Sequence, residues 1–179
     1  MQRRHFLKGL LGSVCAVALS DAAAHTPYRQ WQVYRRKHLL VGCHKDAPAT
    51  YTLAKQIVAN LDAHLPDARA RVARAPTAQR IASLMATDQM DVAIVSGADA
   101  VDMAAGTGQF APFGAIALRQ MLQIDNWVLV CREDIPDRHT WLITDALLDS
   151  DLSIADELQG ALAWHPGAHL RLQDAPLPE

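Results

Sequence analysis

Cysteine is scarce in this chain, with three in 179 residues. Cys15 lies within the first two dozen residues, which leaves Cys43 and Cys131 in the remainder. Two thiols allow one internal disulfide in an oxidising compartment. The other interpretation is two separate buried thiols, because free cysteine is often buried and both residues lie in or just after predicted strands. The sequence leaves this choice open.

A basic excess and a long apolar run beyond the N-terminus are also absent. The chain has a formal net charge of −2, and removing residues 1–24 makes that charge more negative. This balance argues against nucleic-acid binding as a main role. No apolar run after residue 24 reaches the roughly 18 residues that a membrane-spanning helix needs. We therefore expect a soluble chain with no membrane insertion once the first segment is removed.

No pattern typical of a catalytic centre is present. Asp88, Asp91 and Asp99 are scattered over predicted caps and turns, and no cysteine carries the local signature of a nucleophile. If cleavage exposed His25, its amine and imidazole could chelate copper, but the sequence places no second histidine beside it. We expect a protein that is not an enzyme and that has no cofactor and no metal site.

Two further histidine patterns have structural interpretations. His44 follows Cys43 and could form a soft ligand pair with it, but Cys43 is predicted to point into the sheet. His165 and His169 are four residues apart, a spacing that would share a helix face. Because Pro166 and Gly167 lie between them, we predict a structural turn there instead of a helix.

Residues 1–24 have the pattern of an export signal. Paired arginines, Arg3 and Arg4, precede an apolar stretch that ends in small alanines at 22–24, which suit signal peptidase. The segment resembles a twin-arginine signal. We expect cleavage after Ala24 and a periplasmic protein. The alternative is a basic amphipathic helix that belongs to the mature domain.

Strands and helices alternate along the rest of the chain, which predicts an α/β fold whose mostly parallel sheet is layered by helices. The expected domain organisation is an arm at 25–37, one lobe at 38–170 and an irregular tail at 171–179. The predicted strands cover residues 38–42, 68–75, 92–95, 115–118 and 127–131. The predicted helices cover 50–65, a segment from 77, 99–105, a segment from 136, and 154–162.

The order of four segments resembles the TAXI-type solute-binding proteins of TRAP transporters. The first is LLVGCHKDAPATYTLAKQIVANL, in which Gly42, Tyr51, Leu53 and Ala54 match that family's opening strand, loop and helix. The others are RIASLMATDQMDVAIVSGADA with Asp91, LVCREDIPDRHTWLITDALL, and the terminal His-Pro-Gly-Ala of AWHPGAHL. A full member has two lobes, so the resemblance, which covers most of 38–170, implies one lobe of a type 2 periplasmic-binding-protein fold in a shortened relative.

The resemblance implies that a small organic anion binds weakly at the ends of the strands, where helix N-termini attract negative charge. The implied ligand-binding residues are His44, Lys45, Tyr51, Thr77 and Ser96. Each also has a structural interpretation: Tyr51 packs on the lobe, Thr77 caps a helix and Lys45 is solvated. The family's loop glycines are replaced here, and Pro48 removes a backbone donor.

The resemblance implies a small organic acid and a TRAP permease as partners. The twin-arginine route, whose cargo crosses the membrane folded and often in a complex, indicates a periplasmic oxidoreductase as another. A second copy of the chain would rebuild a cleft. The lobe face that would otherwise meet a second lobe could instead dock a protein partner. The alternative function is an accessory or assembly protein of a periplasmic oxidoreductase. A third hypothesis is copper binding through His25.

Overall fold

The computed structural model describes residues 37–155 and 161–179. The predicted export signal, and the predicted arm except for Lys37, lie outside these ranges. No helix within them is long and apolar enough to cross a membrane.

The described residues form one mixed sheet, five α-helices and two short 3-10 segments. The strands are β1 (Leu40–His44), β2 (Arg71–Ala75), β3 (Val92–Ser96), β4 (Leu118–Ile124) and β5 (Trp127–Arg132). The helices are α1 (Pro48–His64), α2 (Ala78–Ala86), α3 (Gly97–Ala105), α4 (Asp137–Leu148) and α5 (Pro166–Leu172). The 3-10 segments are Pro66–Ala68 and Gly108–Phe113.

The strand order across the sheet is β2-β1-β3-β5-β4. β1 lies between β2 and β3 and is parallel to both, with Val41 opposite Val72 on one side and Val92 on the other. β5 is antiparallel to β3 and to β4, so β4 runs in the same direction as the first three strands. Four of the five strands therefore share one direction, and the predicted α/β class with a mostly parallel sheet is confirmed.

Helices cover both faces of the sheet, and each face has its own core. On one face, Val41, Cys43, Val92 and Ile94 pack with α1, α4 and α5. On the other, Ala93 and Val95 pack with α2, α3 and Phe110. Consecutive strand residues alternate between these clusters because side chains in a strand point to opposite faces. Buried strand residues on both faces explain the continuous apolar runs.

Gly42 leaves room against β1 for the side chains of Met90 and of Ile81 in α2. A Cβ atom at this position would lie 2.3 Å from Met90 Sδ and 3.1 Å from Ile81 Cδ1. Gly42 therefore allows close packing in the middle of β1, on the face that α2 covers.

Three parts of the secondary-structure prediction are wrong at the level of element bounds. β1 begins and ends two residues later than predicted, so His44 belongs to the strand and not to the loop. The strand predicted at 115–118 runs instead over Leu118–Ile124, where buried Gln120 conceals the apolar pattern. The strand predicted at 68–75 is confined to Arg71–Ala75, because residues 66–68 form a 3-10 turn and Arg69 has a left-handed φ of 46°.

The C-terminal predictions also need correction. Ile154 bridges Ile124 in β4 and residues 161 and 162 form a bend, so neither described end of the predicted helix 154–162 is helical; residues 156–160 lie outside the described ranges. The predicted turn at Pro166 is the first turn of α5, since proline is tolerated where a helix needs no backbone donor.

Candidate functional site

The five predicted ligand-binding residues lie at or near one edge of the sheet, here called the carboxyl edge, where β1, β2 and β3 end. His44 ends β1, Thr77 follows β2 and Ser96 ends β3. Helices α1, α2 and α3 each begin directly after one of these parallel strands. Three helix N-termini therefore meet at one edge, where their unpaired backbone N–H groups favour negative charge.

His44 is the most unusual side chain at the carboxyl edge. It is only 4% exposed, and neither ring nitrogen has a hydrogen-bond partner among the described residues. Alternation along β1 places its ring on the Gly42 face, the face that α2 and α3 cover. A buried polar atom without a partner costs about 1–3 kcal/mol. Such an atom in a native fold calls for an explanation, and a missing ligand is one.

Thr50 holds the loop between His44 and α1. Its buried hydroxyl donates to the carbonyl of Ala47 at 2.7 Å and accepts from the His44 backbone N–H at 3.3 Å. Sequence reasoning missed this residue. A threonine just after a Pro at the start of a helix was the available signal, since its hydroxyl can bond nearby backbone groups.

Tyr51 carries two cations on its ring. Lys55 Nζ lies 4.9 Å and the Arg74 guanidinium carbon 4.8 Å from the ring centroid. The ring itself is half-buried and packs against the core that α1 covers. Lys45 and Asp46, the two residues after β1, are both exposed. It is therefore Lys55 and Arg74 that leave an excess of positive charge on the Tyr51 side of the carboxyl edge. Arg74 and Lys55 were not predicted, because only the fold brings β2 beside the first turn of α1.

Thr77 has the capping role of its structural interpretation, and Ser96 also caps a helix. The Thr77 hydroxyl accepts from Arg80 N–H at 3.3 Å, and the Ser96 hydroxyl accepts from Asp99 N–H at 3.1 Å. Ser96 also donates to the Asp99 carboxylate at 2.9 Å. A carboxylate thus already lies at the start of α3, and it would repel a second anion. The starts of α1 and α2 have no acidic residue in their first turns and suit an anion better.

The opposite edge of the parallel strands, here called the amino edge, has different chemistry. Arg132 ends β5 there and forms ion pairs with Asp88 and Asp134, including a 2.9 Å bond from its Nε to Asp134 Oδ1. That hydrogen bond lowers the pKa of the Asp134 carboxyl. Burial raises the pKa of the Asp91 carboxyl, although Arg132 partly opposes this effect.

A groove of about 520 Å³ opens at the amino edge. Its apolar wall includes Leu39 before β1, Leu65 after α1, and Leu142 on α4. Asp91, immediately before β3, also lines it. This feature, the amino-edge groove, was not anticipated from the sequence.

His165 is the second buried histidine; its Nδ1 has partners, while its Nε2 has none among the described residues. It is 1% exposed and caps α5, with Nδ1 3.3 Å from the Gly167 N–H and 2.9 Å from Thr140 Oγ1. Burial lowers the pKa of its imidazole, and Asp137 only partly opposes this. His165 therefore connects α5 to α4 as a neutral cap.

The two described cysteines are free and buried. They lie on β1 and β5, with β3 between them. Strands lie about 4.8 Å apart, so the two Cα atoms are too distant for a disulfide, and the interpretation as separate thiols holds. Burial raises the pKa of both thiols, which disfavours the nucleophilic thiolate. Cys43 and His44 face opposite sides of the sheet, so they do not form a ligand pair.

Within residues 37–155 and 161–179, no group of three or more His, Cys, Asp or Glu side chains is arranged to hold a metal ion. The His25 hypothesis concerns a residue outside those ranges. No protein-family model matches the chain, and no curated protein matches it significantly. The proposal below therefore depends on the carboxyl edge and on the segments quoted above.

Proposed function

We propose that this chain is a periplasmic, non-enzymatic solute-binding-like protein that binds a small organic anion at the carboxyl edge. The single observation that carries this proposal is the buried His44 ring, without a partner among the described residues, at the edge where α1 and α2 begin. Both ring nitrogens are buried, so a carboxylate would accept a hydrogen bond from that imidazole after the ring turns toward the edge, while backbone N–H groups stabilise the negative charge.

Cations at the carboxyl edge support an anion over a neutral solute. Lys45 is exposed, and Arg74 and Lys55 flank Tyr51. These cations would raise the local anion concentration and speed association, an effect that added salt weakens. We expect modest affinity, because a ligand at an open edge stays partly hydrated.

Isothermal titration of the purified chain with succinate, glutamate and fumarate would test the proposal. Saturable binding of one acid is expected, and Lys45→Ala should weaken it about threefold or more, since even a partly screened charge contact is worth about 0.7 kcal/mol. Lys37→Ala is the matched control, because Lys37 is also exposed but precedes β1 at the other end. Equal weakening by both substitutions would contradict a site at the carboxyl edge.

The same measurements separate the rival functions. No binding of any acid, together with stable co-purification of an oxidoreductase, would favour the accessory role. Binding of copper(II) alone would favour the His25 hypothesis.

Export can be tested independently of binding. Changing both Arg3 and Arg4 to lysine should retain the chain in the cytoplasm if the segment is a twin-arginine signal. Unchanged periplasmic recovery of that variant would contradict the twin-arginine route.

A further inference from the structure

We propose that the amino-edge groove is a second binding site, for a small organic cation with an apolar body. This inference does not depend on the proposed anion site, because the groove lies at the other end of the parallel strands. Its volume of about 520 Å³ falls in the roughly 300–1,000 Å³ range of small-molecule sites.

The walls of the groove suit an apolar body. Leu39 and Leu65 line the groove from the β1 and α1 side, and Ile135, Leu142 and Ile143 line it from the α4 side. All but Ile143 are partly exposed despite their size. An alkyl or aryl group bound between them would remove apolar surface from water, at roughly 25 cal/mol per Å².

The charges of the groove suit a cation. Asp67, Asp91 and Asp134 contribute carboxylates, and His139 is the only other ionisable residue that lines it. Arg132 binds Asp134 and lies close enough to influence Asp91 electrostatically. Among the described residues, no ion pair and no side-chain hydrogen bond engages the carboxylate of Asp67 or Asp91. A cation in the groove would meet two carboxylates that have no bound partner.

Asp91 is the most informative of these residues. It is partly buried, immediately precedes β3 and lines the groove. Burial disfavours its charged form, and a bound cation would favour that form again. An anion would gain no such contact, and a neutral ligand would gain only the apolar walls.

Isothermal titration of the full chain with hexyltrimethylammonium, hexanoate and hexanol tests this proposal. The quaternary ammonium ion should bind saturably, at least about tenfold more tightly than hexanol, the factor that corresponds to 1.4 kcal/mol. Hexanoate should not bind in the groove, because the carboxylates repel it. Raising the salt concentration should weaken binding of the cation.

Asp91→Asn should weaken binding of hexyltrimethylammonium about tenfold, the factor that corresponds to losing one charge contact of about 1.4 kcal/mol. If that variant does not fold by circular dichroism, exposed Asp67→Asn replaces it, with an expected weakening of about threefold. The matched control is Asp125→Asn, which changes an exposed carboxylate at the other end of the sheet; asparagine tolerates its φ of 49°. The control should leave the affinity unchanged.

Several outcomes would overturn the inference. Equal affinity for hexanol and the cation would mean that the groove selects only apolar surface. Equal loss in the groove variants and the Asp125→Asn control would place the cation elsewhere. Sedimentation experiments could show a dimer that forms as the protein concentration rises and that prevents binding of the cation. That result would identify a second copy of the chain as the occupant of the groove. Lys45→Ala should leave cation binding intact, so failure here and failure of the anion proposal are separate results.

Discussion

The two ends of the parallel strands differ in the hydrogen bonding of their buried histidine rings. At the carboxyl edge, where three helices begin, His44 is buried without a ring partner among the described residues. At the amino edge, His165 is buried but caps α5 and contacts Thr140. His165 connects two helices through its Nδ1, although its Nε2 also lacks a partner among the described residues. His44 has two ring nitrogens without a partner, and a ligand could relieve their free-energy cost.

The amino edge also differs in shape. Its ionisable groups surround a groove with apolar walls, while the carboxyl edge presents helix starts and a tyrosine that carries two cations. Three carboxylates line the groove and two cations lie on Tyr51 at the carboxyl edge, so we expect each proposed ligand to prefer its own site. The predictions below test whether the two ends differ in function or only in packing.

The largest expected effect comes from Gly167→Ala at the amino edge. An added Cβ would lie 1.9 Å from the Asp137 carbonyl oxygen and 2.4 Å from Thr140 Oγ1, so α5 must move away from α4. We expect a loss of unfolding free energy on the order of 3 kcal/mol in urea denaturation. Gly97→Ala is the control, because its Cβ would meet the nearest atom, in Ala161, at an ordinary 3.5 Å. Similar losses in both variants would contradict tight packing of α5 on α4.

Leucine substitutions of the two buried histidines should have opposite effects on stability. His44→Leu removes ring nitrogens that lack partners, so we expect the unfolding free energy to rise by about 1–2 kcal/mol. The same substitution should weaken organic-acid binding. His165→Leu removes a helix cap and a buried hydrogen bond, so we expect a fall of about 1–2 kcal/mol. Destabilisation by His44→Leu would mean that its ring has partners in solution.

The pH dependence of stability should reveal His165. Because burial lowers the pKa of its imidazole in the folded state, the unfolded chain takes up the proton more readily. This contribution to stability is complete above the unfolded pKa of about 6.5 and is lost as the pH falls toward the folded pKa. Urea denaturation between pH 8 and pH 5 would show a smaller decline in His165→Asn, which keeps a capping side chain. An equal decline in both proteins would contradict this assignment.

The smallest effect on stability is expected from exposed charges at the two ends. Lys45→Ala and Asp67→Asn should each change the unfolding free energy by less than about 0.5 kcal/mol. Their effects on ligand binding should nevertheless differ, with Lys45→Ala weakening only the acid and Asp67→Asn only the cation. A variant that weakens both ligands would indicate that the two sites are not independent.

The sequence predicted a helix correctly where the spacing of its apolar residues and its boundary residues indicated the same element. The Pro-Thr step before α2 predicted a capped helix start, and the four-residue spacing of Leu53, Ile57 and Leu61 predicted α1 to within two residues at its start and one at its end. The α/β class followed from the alternation of such elements. The predicted position of β4 was wrong because a polar residue, Gln120, is buried in this strand. The backbone N–H and C=O of Gln120 form hydrogen bonds with residues 163–165, and the sequence gives no sign of that pairing.

The candidate sites were predictable only in part. The order of strands and helices was enough to place His44, Thr77 and Ser96 at one edge, because parallel strands that precede helices end together. The pairing of Arg74 with Tyr51 depends on the register between β1 and β2, which the sequence does not specify. The amino-edge groove combines residues from Leu39 to Ile143, and no short-range pattern connects them.

The strand between Cys43 and Cys131 has a consequence for the life of the protein in the cell. Because these thiols cannot reach each other in the native fold, neither a reducing nor an oxidising solution would link Cys43 to Cys131 within one chain. Formation of that bond is therefore not a step in the folding of the described residues, and no thiol oxidase or isomerase is needed for it.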